Sequence, residues 1–184
     1  MFYIEDGFYA DPMNVREVAL SMDFNITGNY PGLRTKACEG EYFTNIKKSF
    51  ENILQRKITY WPSGYNTAFQ CTTKESRTWI HYDPTKWAAI VYLSPDAPIL
   101  SGTSIYRHIP SGIYKHTEHS PLDFNKNDKL IEEEWEEIAF CGNIFNRLVL
   151  YEGTYYHRSK LPGFGTDKYT GRLFQTFFFD AEEI

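Results

Sequence analysis

From Ile58 to its end the chain is written in short runs of β-branched and aromatic residues set off by turn residues: ITYW, YNTAFQCTT, WAAIVYL, SGTSIYRH, NIFNRLVLY and RLFQTFFFD. Such runs pack well on a pleated surface and lose rotamer freedom in a helix. In the last run Arg172, Phe174, Thr176 and Phe178 alternate with Leu173, Gln175, Phe177 and Phe179, which is the period of a strand. NIFNRLVLY is nearly continuous in apolar residues. The pattern predicts a mainly β fold, and an aromatic content of 17% agrees with it while also suiting the walls of a small-molecule pocket.

Upstream the period changes. MNVREVALSMDF sets Val15, Val18, Ala19 and Met22 on one face of a first helix. Glu41 to Arg56 carries a stripe of Phe43, Ile46, Phe50, Ile53 and Leu54, with Lys47, Lys48, Glu51 and Gln55 on the wet side. The expectation is one domain over residues 1–184, with helices at about 13–56 packed on the outside of a β core at about 58–180. Two further readings concern the middle of the chain. Ile109 to Asn127 is a long irregular stretch of the kind that either forms a lid over a site or is disordered. Lys129 to Ala139, KLIEEEWEEIA, reads as an acidic helix with Leu130, Trp135 and Ile138 inward and its glutamates on a solvated face without a chemical role.

A net charge of −5 argues against a sequence-independent nucleic-acid binder, although Arg147, Arg158, Lys160, Lys168 and Arg172 crowd the last part of the chain and leave room for a locally positive pocket. The start, MFYIEDGFYA, has no basic region ahead of an apolar run, and nowhere do eighteen uncharged apolar residues follow one another. The expectation is a cytoplasmic protein with no membrane span. Cys38, Cys71 and Cys141 have neither disulfide nor zinc-site spacing and read as small buried hydrophobes.

Chemistry concentrates in TWIHYDPTKWAAIVYL, Thr78 to Leu93, which reads as a strand. There Arg77, Trp79, His81 and Asp83 share one face and Ile80 and Tyr82 the other, so an imidazole and a carboxylate point into the same space and suit two ligands of one divalent metal. The same spacing recurs in His116-Thr117-Glu118, but without the alternation that would fix both side chains. His108, His116 and His119 form a rival metal set that would need a helical segment, against which Pro121 argues. Downstream stand a lone His157 on a strand and Arg172 at the head of the last one. Arg158, beside His157, alternates to the other face and reads as a surface ion pair.

In order and strand context, His81-x-Asp83, His157 and Arg172 resemble the iron(II)- and 2-oxoglutarate-dependent oxygenases over Trp79 to Arg172. DGFYADP, NYPGLRT and FNRLVLYEGTYYHRS are similar to a little-characterised bacterial and phage branch of that superfamily. The resemblance implies a double-stranded β-helix, a jelly roll of cupin type. It implies iron(II) on His81, Asp83 and His157, 2-oxoglutarate anchored by Arg172, dioxygen as oxidant, and hydroxylation of a small molecule or side chain whose identity it does not fix. Two imidazoles and a carboxylate on one face of octahedral iron leave three adjacent positions for a 2-oxo acid and dioxygen. A planar guanidinium can hold a carboxylate through two parallel bonds.

Many relatives place Ser or Thr two residues after the arginine, where this chain has Phe174; Tyr92 and Gln70, on flanking strands, are candidates to bond cosubstrate oxygens instead. Two other functions fit the same residues. One is a non-catalytic jelly-roll module that binds a carbohydrate or peptide at an aromatic mouth; the other is a metal-dependent hydrolase or isomerase on the same barrel.

Overall fold

The computed structural model describes residues 1–120 and 132–183. In chain order the elements are β1 (Tyr3–Asp6), α1 (Pro12–Ser21), β2 (Leu33–Arg34), α2 (Tyr42–Leu54), β3 (Arg56–Tyr60), β4 (Phe69–Thr72), β5 (Trp87–Tyr92), β6 (Thr103–His108), β7 (Trp135–Cys141), β8 (Arg147–Glu152), β9 (His157–Ser159) and β10 (Arg172–Glu183). Short 3-10 turns stand at Ile99–Ser101 and Glu132–Glu134.

Local chemistry sets the helix ends. α1 opens where the Asp11 side chain accepts the Asn14 N–H at 3.1 Å and Pro12 takes a first-turn position that needs no donor. α2 stops where Gln55 turns left-handed with φ 52°, its N–H still bonded to Glu51 O.

All strand pairs are antiparallel. One sheet runs β1-β8-β5-β10-β4-β2, with β3 pairing the end of β10, and a second runs β7-β6-β9. Period-2 alternation then divides the labour of the large sheet. Trp87, Ala89 and Val91 of β5, Leu148 and Leu150 of β8, and Leu173, Phe177 and Phe179 of β10 pack under Ile46, Phe50 and Leu54 of α2 and Ala19 of α1. Each large apolar side chain so buried contributes about 1.5–3 kcal/mol. The intervening residues, Ala88, Ile90, Tyr92, Val149, Tyr151 and Phe174, turn to the other face and form a second cluster with Cys141 of β7. Two antiparallel sheets closed over that inner face, with the helices outside, make the double-stranded β-helix. Among the described residues no helix is long and apolar enough to cross a membrane.

Three sequence expectations need correction. The segment from Thr78 to Leu93 is not one strand: β5 begins at Trp87, and His81 makes only an isolated bridge, because Pro84 opens a bend that lets the chain leave one sheet for the other. Trp135–Cys141 is a strand, not part of a helix; residues 129–131 lie outside the described residues. Pairing with β6 overrides the helix preference of the glutamates, and several of these are not idle: Glu136 pairs with Arg107, and Glu137 accepts from Ser104 at 2.7 Å and Lys160 at 2.8 Å. Val18 of α1 is 47% exposed, so that helix buries a narrower face than its apolar spacing suggested. The 109–127 stretch is irregular as far as it is described, to Ser120, and residues 121–127 of the expected lid lie outside the described residues.

Candidate metal centre

The site starts from main-chain pairing. His81 N donates to His157 O at 3.0 Å and His157 N to His81 O at 2.8 Å, so the two residues face each other across an antiparallel bridge. Two residues on, Asp83 N donates to Gly153 O at 2.7 Å. The backbone between them stays extended although it is no strand, and extension alone keeps His81 and Asp83 on one side. Ile80 turns the other way, into a cluster with Tyr106, Trp135 and Tyr156.

The three side chains converge. Asp83 Oδ1 lies 3.9 Å from His81 Nε2 and Oδ2 lies 3.3 Å from His157 Nε2, and one ligand atom from each residue falls within 4.8 Å of the others. His81 Nδ1 sits 3.0 Å from Trp79 O and His157 Nδ1 2.7 Å from Tyr155 O. A carbonyl can only accept, so each ring carries a proton on Nδ1 and turns its Nε2 toward the carboxylate. Three such ligand atoms turned to one point are arranged as a cation between them would require. Burial, reinforced by the neighbouring His157, pulls the His81 pKa down to about 4, so its imidazole is neutral near neutral pH. Burial pushes the Asp83 carboxyl up, but His157, His81 and Arg34 together outweigh it and hold the pKa below the ordinary value. The donor set fits a divalent metal. His108, His116 and His119 do not come together: His108 Nδ1 meets Ser111 Oγ at 2.8 Å, His116 stacks on Tyr82 at 3.7 Å between ring centroids, and His119 is exposed.

The triad opens on a cavity of about 390 Å³ between the sheets, within the roughly 300–1,000 Å³ typical of small-molecule sites. Arg172, Phe174, Thr176 and Phe178 of β10 line it, the inward face that the alternation predicted. Arg172 is 4% exposed. It donates to Ser159 Oγ and, at 3.1 Å, to Thr103 Oγ1, lies 3.5 Å from Tyr92 Oη, and spreads over the Phe174 ring at 4.6 Å. Among the described residues its buried Nε has no hydrogen-bond partner. Tyr92 therefore stands beside Arg172, its hydroxyl 2.9 Å from Thr103 Oγ1. Gln70 lies elsewhere on the wall, accepting from Arg34 Nε at 2.7 Å and donating to Pro31 O at 2.6 Å.

Sequence reasoning missed Ser159, Thr103, Arg34 and Tyr151. The register Thr103↔Ser159 of β6 on β9 brings the two hydroxyls to Arg172, and the register Arg34↔Gln70 of β2 on β4 brings Arg34 to the cavity. Tyr151 packs edge-on to His157 at 4.8 Å; burial pushes its phenol well above the ordinary value, so it remains a protonated donor. Period-2 counting along NIFNRLVLY, which sets Tyr151 on the same face as Val149, was a signal for it. Arg158 is not a surface residue: it is 8% exposed, packs on Tyr106 and pairs with Glu132 at 2.5 Å.

A family model with the description "Family of unknown function (DUF6445)" matches residues 1–179. No curated protein matches the chain in sequence. Among solved structures the chain is similar to HygX from Streptomyces hygroscopicus with nickel and 2-oxoglutarate bound, at a TM-score of 0.61 and 13% identity. It is also similar to a prolyl hydroxylase from Trichoplax adhaerens in complex with a hypoxia inducible factor oxygen degradation domain peptide fragment, at 0.58 and 13%. Each comparison covers 97% of this chain and 82% of the other. At such identities the likeness is one of fold.

Proposed function

The chain belongs to the DUF6445 family, a family of unknown function, and from that premise we propose that it is an iron(II)- and 2-oxoglutarate-dependent oxygenase that hydroxylates a small molecule or a side chain. One observation carries the reading: two imidazoles, each anchored through Nδ1 to a carbonyl, aim Nε2 at a shared carboxylate at the floor of a cavity whose wall holds a buried guanidinium. Two nitrogens and one oxygen are too few donors to saturate a divalent metal, so the set would leave room for a cosubstrate. His81, Asp83 and His157 would hold iron(II), and Arg172 the far carboxylate of 2-oxoglutarate. The chemistry that this pair supplies when bound is oxidative decarboxylation by dioxygen, coupled to oxidation of a second substrate.

The chain's own residues do the positioning. Ser159, Thr103 and Tyr92 fix the plane of Arg172, which makes up for Phe174 at the place where relatives carry a hydroxyl. The unpaired Arg172 Nε is a donor in search of an acceptor, a cost that a bound carboxylate relieves. Trp79, Tyr151, Phe174 and Phe178 give the cavity an aromatic lining that limits water around the metal.

The test is an anaerobic titration of metal-free protein with iron(II) and 2-oxoglutarate, read as a visible charge-transfer band, followed by succinate formation in air. The expected result is a band that needs both additions, is lost with succinate formation in Asp83→Ala, and in Arg172→Ala needs about ten- to a hundredfold more 2-oxoglutarate. Metal binding with no band would instead support a metal-dependent hydrolase or isomerase.

A further inference from the structure

Charge on the cavity wall does not balance, and Arg34 is the residue that is left. The charged residues lining the cavity are Arg34, Asp83, Arg158 and Arg172. Arg158 is neutralised by Glu132. In the loaded oxygenase the formal charges of a divalent metal, Asp83, Arg172 and dianionic 2-oxoglutarate cancel. Asp83, the carboxylate that acts on Arg34, is then already balanced by the metal, and among the described lining residues the Arg34 charge is left formally uncompensated in a place where burial makes it costly.

Its geometry is that of a held donor. Nε is fixed on Gln70 Oε1 at 2.7 Å, and Gln70 is itself tied to Pro31 O, while the guanidinium lies 3.8 Å over the Tyr30 ring and 5.3 Å from that of Phe178. These contacts set the plane of the fork. Among the described residues no protein group accepts from its two terminal nitrogens. A planar pair of donors, already oriented, matches a carboxylate or another oxyanion in two parallel bonds. The neighbouring Tyr30, Tyr65 and Phe178 offer ring faces to an apolar body behind that anion.

We propose that Arg34 forms an anion-binding subsite for the molecule to be oxidised, so that the primary substrate carries a carboxylate or similar oxyanion on an apolar or aromatic body. This rests on the oxygenase reading above. The cosubstrate is assigned to the other arginine because three hydroxyls surround Arg172 and none bonds Arg34.

The experiment is calorimetric titration of protein loaded with nickel(II), with and without 2-oxoglutarate, using phenylacetate, sulfate and the neutral phenylacetamide as probes. Wild type is compared with Arg34→Gln and Arg34→Lys, and the iron(II)–2-oxoglutarate band is recorded for each. The expected result is saturable binding of phenylacetate about ten- to a hundredfold tighter than of phenylacetamide, a preference erased in Arg34→Gln and partly kept in Arg34→Lys, with the band unchanged in both. Equal affinity for acid and amide, no saturable binding of either anion, or an undiminished preference in Arg34→Gln overturns the proposal. Loss of the band in Arg34→Gln also overturns it, by giving Arg34 to the cosubstrate. A wild type without any band defeats the oxygenase reading instead, and with it the assignment of the anion as substrate, whatever the acid and amide do.

Discussion

Gly153 has no side chain, and the volume a methyl group would need there is already taken. A Cβ at this position would come 2.5 Å from Thr85 O and 3.1 Å from Asp83 Cβ, while the Gly153 carbonyl accepts the Asp83 N–H at 2.7 Å. The contact is with main chain, so the clash cannot be relieved by rotating a side chain. Gly153→Ala is therefore expected to displace Asp83 and weaken metal binding about ten- to a hundredfold, the size of effect seen when a ligand loses its support. Calorimetric titration of metal-free protein with iron(II) or nickel(II) checks this, and unchanged affinity would show that Asp83 is held by something else. At this scale the sequence was partly readable. His81 and Asp83 needed only an extended backbone to share a side, and spacing reports that. Ser159, Thr103 and Arg34 reach the cavity through registers between strands far apart in the chain, and no local pattern encodes a register across such distances.

Among the elements, α2 shows how far a period can be trusted. Ile46, Phe50 and Leu54 of its stripe are buried and Phe43 and Ile53 partly so, with Phe50 stacked on Phe179 at 5.2 Å, edge-on to Phe177 at 5.2 Å and near Phe8 at 6.0 Å. Phe50→Ala is expected to cost about 3–5 kcal/mol, read as a lower urea midpoint with an unchanged slope. Metal affinity of the folded variant is expected to stay within about twofold, because α2 and the cavity lie on opposite faces of the large sheet and distant sites add independently. A shift in both quantities would mean that the sheet transmits the strain. Residues 135–141 show the opposite case. Trp135 and Ile138 are three apart, which suits a helix, and glutamate favours one; yet the segment lies beside β6, where Arg107, Ser104 and the adjoining Lys160 give those glutamates partners. A charge pattern states which residues want counterions, not which backbone will deliver them. The alternation in β10 was unambiguous because both of its faces are filled, one with core and one with cavity.

Over the whole molecule the large sheet separates stability from chemistry: one face packs under the helices and the other lines the site. A metal bound at the triad would nevertheless add to stability by mass action, since its ligands converge only in the folded state. At a free metal concentration a hundredfold above Kd the gain is about 2.7 kcal/mol, or roughly 5–10 °C in Tm for a chain of this size. Calorimetric melts of chelator-stripped protein with and without nickel(II) measure it, and the shift should vanish in the double variant His81→Ala, Asp83→Ala. A shift that survives there would place the metal elsewhere. The bridge between His81 and His157 has a longer reach than either ring. It is made by main-chain atoms, which every amino acid but proline carries, so the bridge does not depend on which other side chains stand at those positions. In evolutionary terms, if the oxygenase reading holds, a single codon change at position 83 would remove a metal ligand and leave the cleft around it intact, and the reverse change would restore it.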